Sequence, residues 1–322
     1  MDLSFILINL ISPPILFFLL GACACLLHVD LVIPNPIARF LSLYLLFALG
    51  FQGGGELHHA GITLNALIPL GASILLSCII PLYAFFLLRT KLNVYDSAAI
   101  AATYGSVSAV TFIATTNFLQ LLGYSFDGFM VAALALVESP PIIIGLYLNK
   151  KFAPLKNTTS NNVSILHEAF LNSSVFLILG SLLIGFVSGH QGYVMLKPFT
   201  HDIFKGILTF FMLDIGILAA KRLQGLKKSA SFLIPFAIGI PLINGLVAIA
   251  ACYFLNISIG NSLLLTAITA SASYIAVPAA MRISIPEANP GLYIPMALAI
   301  TFPFNIIIGL PLYMSIIRYF WV

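Results

Sequence analysis

Long apolar runs, interrupted only briefly, govern what this chain can fold into. A helix needs about 20 mostly apolar residues to cross the hydrocarbon core of a bilayer. Breaks at polar or Pro/Gly clusters divide the chain into ten such runs, at roughly 8–28, 36–57, 63–89, 96–121, 126–149, 166–188, 200–221, 229–255, 261–282 and 290–319. Of the 322 residues, 61% are hydrophobic and 7% charged, against about 25% charged in a soluble domain. So little charge cannot cover a surface facing water. A soluble enzyme, a nucleic-acid binder and a disordered hub are excluded. The chain reads as an all-α polytopic membrane protein whose first partner is the lipid bilayer, with no nucleic acid.

The basic residues orient the spans. With the N-terminus outside, the cytoplasmic loops and helix ends hold Arg39, Arg89, Lys91, Lys150, Lys151, Lys156, Lys221, Arg222, Lys227, Lys228 and Arg282. The outer side keeps Lys197, Lys205 and Arg318. Cytoplasmic loops concentrate Lys and Arg, so this asymmetry predicts an even number of spans with both termini outside. Cys23, Cys25, Cys78 and Cys252 lie inside apolar runs and read as small packing residues. Leu20-Gly21-Ala22-Cys23 imitates a lipoprotein cleavage box, but Met1 to Ile11 lacks the basic start of a signal peptide, so this run reads as a retained first helix. Glu56-Leu57-His58-His59 imitates a metal site, yet falls at an outer helix end.

The two halves resemble each other. Ala133-Leu134-Ala135 through Ile142-Ile143-Ile144-Gly145-Leu146 recurs as Ala297-Leu298-Ala299 through Ile306-Ile307-Ile308-Gly309-Leu310. Asp96-Ser97, Ser106 and Ser108 recur as Asn261-Ser262, Ser271 and Ser273, and Gly50 and Leu57 as Gly216 and Leu223. The polar segment 151–165 separates a first repeat, 1–150, from a second, 166–322. With five spans each, the second copy lies upside down, the inverted-repeat plan of secondary transporters. That plan predicts discontinuous helices at the midplane. The matched segments Tyr104-Gly105-Ser106-Val107-Ser108 and Ala270-Ser271-Ala272-Ser273-Tyr274 are the candidates. Small residues let backbones approach, and serines satisfy amides freed by a break. Two facing helix N-termini present unpaired N–H groups to a small anion.

Two carboxylates stand well inside the spans, Glu138 and Asp214. An ionised carboxylate at the bilayer centre costs on the order of 3 kcal/mol on insertion scales, so each requires a partner or a proton. Glu138 precedes Ser139-Pro140-Pro141, and the prolines release backbone carbonyls from helical pairing. A carboxylate, a hydroxyl and open carbonyls suit Na⁺ or H⁺, and Asn305 in the second repeat adds a neutral oxygen. Asp214 reads as an interhelical hydrogen-bonding group near Lys221 and Arg222.

These residues resemble the sodium-dependent bicarbonate transporter (SbtA-type) family. The most specific match is Ala270-Ser271-Ala272-Ser273-Tyr274-Ile275 continuing through Pro278, Arg282 and Ile285-Pro286-Glu287-Ala288-Asn289-Pro290. Val32-Ile33-Pro34, Gly105-Ser106-Val107-Ser108 with Thr111, and Glu138-Ser139-Pro140 agree as well. The resemblance implies Na⁺ as coupling ion, bicarbonate as substrate, anion contacts from the Ser-rich segments, a homotrimer, and a bacterial inner membrane. Three departures accompany it. Tyr274 stands where the family has Asp. Glu138 replaces the usual Asp. The linker 151–165 is much shorter than in the cyanobacterial members that bind a PII-like regulator, the other partner the resemblance brings into view.

The expected function is therefore Na⁺-coupled symport of bicarbonate by alternating access. The alternative is a Na⁺- or H⁺-coupled carrier of another small anion such as a monocarboxylate. A membrane sensor that binds without transport is a second alternative. An intramembrane enzyme is excluded, because the chain lacks a Gly-x-Gly-Asp motif, a Gly-x-Ser-x-Gly elbow and an H-E-x-x-H helix.

Overall fold

A computed structural model describes residues 3–60, 64–153, 173–223 and 230–321, and among these every regular element is helical. The first apolar run forms two helices, α1 (Leu3–Leu10) and α2 (Pro13–Leu26), not the single span expected over 8–28. Pro13 and Pro14 lack the N–H groups needed to continue α1, and proline suits the first helical turn, so the chain restarts there. Helices α3 (Asn35–Ala60) and α4 (Leu64–Leu88) follow. In α4 the Ser73 hydroxyl donates to the Pro69 carbonyl at 2.7 Å, one turn back.

The fourth run is interrupted between α5 (Val94–Gly105) and α6 (Ala109–Leu121), and the fifth between α7 (Phe129–Leu136) and α8 (Pro140–Phe152). The segment 151–165 lies almost wholly outside the described residues. The second half opens with α9 (Ser173–Lys197), a π-helical turn (Pro198–Asp202) and α10 (Phe204–Leu223). These are followed by α11 (Ala230–Phe254), α12 (Ile259–Ala270) and α13 (Ala276–Ser284). The last run, α14 (Pro290–Trp321), contains π-helical stretches at Met296–Thr301 and Asn305–Gly309.

Seven helical runs among the described residues are long and apolar enough to cross a membrane, and α2 and α12 are shorter apolar helices. One of the seven, Val175–Leu223, covers 49 residues. At 1.5 Å per residue it would measure about 70 Å if straight, more than twice a bilayer core. It is not straight: Gly189 leaves the helical region at φ +54°, and the turn at Pro198 follows.

Packing places the polar runs inside and the apolar ones outside. In the most apolar 18 residues of Val94–Leu121, 89% are buried, against 39% in those of Ala66–Leu88. Large apolar side chains such as Phe176, Val187, Met195 and Phe254 are exposed. This inversion of a soluble fold follows when lipid is the solvent, because small and hydroxylated residues then supply the helix contacts. The two most extensive pairings join the halves: α3 with α9, and α2 with α10. Gly54 faces the Leu182 carbonyl and Gly185 the Phe51 carbonyl, while Gly21 and Gly216 meet the Leu213 and Phe18 carbonyls.

The other pairings correspond between halves. Helix α4 packs on α5 as α11 packs on α12. At the start of α5, Asp96 Oδ1 accepts the Asn289 N–H at 2.7 Å. At the start of α12, the matched residue Asn261 accepts the Asp127 N–H at 2.9 Å and donates to Asp127 Oδ2 at 2.6 Å. Each half thus holds the loop that precedes the other half's last apolar run.

Candidate functional site

The breaks in the fourth and ninth runs cross each other. Helix α5 ends at Gly105, which sits so close to Pro81 and Pro141 that a Cβ there would collide with the Pro81 ring. The chain then extends through Ser106 to Ser108, which begins α6. Ser108 Oγ accepts the Thr111 N–H at 3.1 Å, an N-cap that satisfies one orphan amide of the first turn. In the second half, α12 ends at Ala270 and the chain runs extended before α13 begins. Ser273 Oγ, two residues before the N-cap Ile275, accepts the Val277 N–H at 3.3 Å and so also satisfies an amide of the first turn of α13. Two bonds lock the crossing: Ser273 N–H donates to the Thr103 carbonyl at 2.9 Å, and Ser108 N–H to Ser271 Oγ at 3.0 Å.

A cavity of about 40 Å³ opens at this crossing. Its polar lining includes Ser108, Ser273, Tyr274, Glu138 and Ser42. The first residues of both helices, Ala109, Val110 and Ala276, line it too, so two N-terminal turns reach the same space. Their leading N–H groups have no acceptor within the helix, and each terminus carries about half a positive charge. The opposite wall is apolar: Leu45 and Leu46 of α3, Leu134 of α7, Ile178 of α9 and Phe211 of α10. A water needs about 10–15 Å³, so the cavity has room for about three to four water-sized groups.

The six residues expected to hold the anion divide into two groups. Ser108 and Ser273 line the cavity, and both use only their acceptor lone pairs in capping, which leaves a hydroxyl proton to donate. Gly105, Ser106, Thr111 and Ser271 are not in the lining. Ser106 Oγ donates to the Glu138 carbonyl at 3.3 Å, and Ser271 Oγ donates to the Ile268 carbonyl at 2.9 Å while accepting from Ser108. Those two serines build the crossing. Thr111 Oγ1 is buried without a hydrogen-bond partner just beyond the cap.

The three expected cation ligands also part. Glu138 lines the cavity, at the break between α7 and α8, and Ser139 is buried beside it. Asn305 lies elsewhere: its Nδ2 donates to the Ala270 carbonyl at 2.7 Å, closing the end of α12. Its Oδ1 is buried and unpartnered, which leaves a neutral oxygen of the kind Na⁺ accepts. The Asn305–Gly309 turn packs against α6, the helix that carries Thr111. Tyr274, the last residue of the second candidate segment, is part of the lining, whereas the α3 and α10 residues of the wall were not identified as site residues from sequence. No local pattern marks them.

Interrupted helices crossing at a small hydroxyl-lined cavity, inside a bundle with an apolar exterior, are the marks of a multi-pass membrane transporter. A family model described as the Na⁺-dependent bicarbonate transporter superfamily matches residues 13–318, and the chain belongs to that superfamily. Its members are transporters, not enzymes. No curated protein matches the chain significantly.

Proposed function

We propose that the protein carries bicarbonate across a bacterial inner membrane by Na⁺-coupled symport and alternating access. The observation that carries this reading is the convergence of two helix N-termini, one capped by Ser108 and the other with a first-turn amide held by Ser273, on one cavity of about 40 Å³. The anion sits there, held by the Ser108 and Ser273 hydroxyls and the leading N–H groups of α6 and α13. Among the described residues no Lys or Arg lines the cavity, so dipoles and hydroxyls hold the anion, as suits a small monovalent species.

Glu138 supplies the reason for coupling. An anion beside an ionised carboxylate puts two negative charges into a poorly screened space, which is unfavourable in a low dielectric. A Na⁺ bound by Glu138 with neighbouring oxygens cancels that repulsion, so each ion favours the other's binding. Asn305 Oδ1 and Thr111 Oγ1 are the neutral oxygens available on the other side of the crossing.

The corresponding helix pairings and the matched bonds of Asp96 and Asn261 support two inverted five-helix repeats, 1–150 and 166–322, and ten spans with both termini outside. On that count α1 and α2 make one span, and Val175–Leu223 makes two. A homotrimer is part of the same reading. Its test is uptake of labelled bicarbonate by proteoliposomes under an imposed Na⁺ gradient. Uptake should require inward Na⁺ and disappear in Ser108→Leu and Ser273→Leu proteins that remain monodisperse. Uptake that ignores the Na⁺ gradient would refute the coupling. The apolar wall favours a second substrate reading, a short monocarboxylate, which unlabelled acetate or pyruvate would reveal by outcompeting bicarbonate.

A further inference from the structure

We propose that the Tyr274 hydroxyl is a direct ligand of the transported anion and the group that selects among small anions, an inference that rests on the placement of the anion between Ser108 and Ser273. Tyr274 is 7% exposed and lines the cavity. Its ring is held edge-on against Phe302, with centroids 5.9 Å apart and planes at 69°. The hydroxyl lies beside the Ser108 side chain but completes no hydrogen bond. A buried donor without an acceptor is costly, and an oxygen arriving in the cavity removes that cost. A neutral phenol donates one proton and brings no charge of its own, so it attracts an oxyanion without competing for the coupling cation.

The hydroxyl also breaks the symmetry of the site. The offset of 165 residues that relates Ser106 and Ser108 to Ser271 and Ser273 places Ala109 opposite Tyr274. The cavity therefore has a serine beside each of two helix N-termini but a phenol from one half only. An anion with two oxygens is satisfied by the serines and helix ends. A third oxygen finds Tyr274. Sites that hydrogen-bond a substrate group discriminate strongly against analogues that lack it. The phenol thus favours a planar three-oxygen anion over a two-oxygen one.

Initial rates of bicarbonate and formate uptake in proteoliposomes test this with Tyr274→Phe, which keeps the ring on Phe302. The KM for bicarbonate should rise about tenfold, with the KM for formate within about threefold of wild type and Vmax little changed. Equal rises for both anions, or no rise for either, would overturn the inference while leaving the anion site intact if Ser108→Leu still abolishes uptake. If the wild-type protein takes up neither anion, the functional reading itself fails and this inference with it. Infrared difference spectra of wild-type protein need no variant: adding bicarbonate should shift a tyrosine C–O stretch, and its constancy would overturn the role of Tyr274.

Discussion

Ser271 Oγ accepts the Ser108 backbone N–H at 3.0 Å and donates its own proton to the Ile268 carbonyl at 2.9 Å. One side chain thus closes the last turn of α12 and fixes the approach to α6. It is fully buried, so no solvent can replace either bond. Ser271→Ala strands a buried amide, at a cost of about 1–3 kcal/mol. The thermal unfolding midpoint in detergent should fall, and Ser271→Thr, which restores the hydroxyl, should recover most of the loss.

Glu138→Gln keeps the shape of the side chain and removes its charge. If Glu138 couples the ions, the Na⁺ concentration for half-maximal uptake should rise about tenfold, equivalent to about 1.4 kcal/mol. Asp214 is half-buried and lies within electrostatic reach of Lys221, away from the cavity lining. Asp214→Asn should leave the Na⁺ dependence as in wild type. Initial rates measured against Na⁺ at fixed bicarbonate distinguish the two carboxylates.

The close helix pairs make a third set of expectations. A Cβ at Gly54 or Gly216 would run into the Leu182 or Phe18 carbonyl, and backbone cannot yield as a flexible side chain can. Gly54→Ala and Gly216→Ala should each destabilise the protein by about 1–3 kcal/mol. At Gly71 nothing lies within 4 Å. Gly71→Ala should be neutral or gain about 0.5–1 kcal/mol, because alanine is the better helix former. Thermal stability measured side by side in one detergent checks all three.

Asp96 and Asn261 stand 165 residues apart, and each holds a loop of the other half. Replacing either with Ala should cost about 1–3 kcal/mol through lost buried bonds. The two sites share no partner, so the double variant should lose the sum of the single effects to within about 0.5 kcal/mol. A marked departure from additivity in the unfolding midpoints would show that the two clasps act through a common element.

Much of this architecture is legible in the residue order because the physics that produces it is local. Apolar run length determines what can lie in lipid. The Ser-rich, poorly apolar fourth and ninth runs signal broken helices, since a break in a membrane helix needs hydroxyls to receive its backbone groups. The same accounting was available at Ser12-Pro13-Pro14, yet the apolar run around it masked the break between α1 and α2. The bend at Gly189 was harder to foresee: a glycine in an apolar run signals close packing as readily as a positive φ, and here it provides the latter.

The site divides along the same line. Sequence alone determined that this chain lies in a membrane, where its two polar breaks fall and which serines accompany them, because hydropathy and the demand of freed amides are properties of neighbouring residues. Only the tertiary structure decided which serine serves which purpose. Ser108 and Ser273 face the cavity, while Ser106 and Ser271 are consumed in holding the crossing. It also decided that Asn305 closes the end of α12 while Glu138 looks into the cavity, and that α3 and α10 supply the apolar wall. Those assignments depend on contacts between residues far apart in the chain, such as Ser108 with Ser271, 163 positions away. Such contacts arise from how helices pack, and that is decided by the whole bundle and not by any one segment.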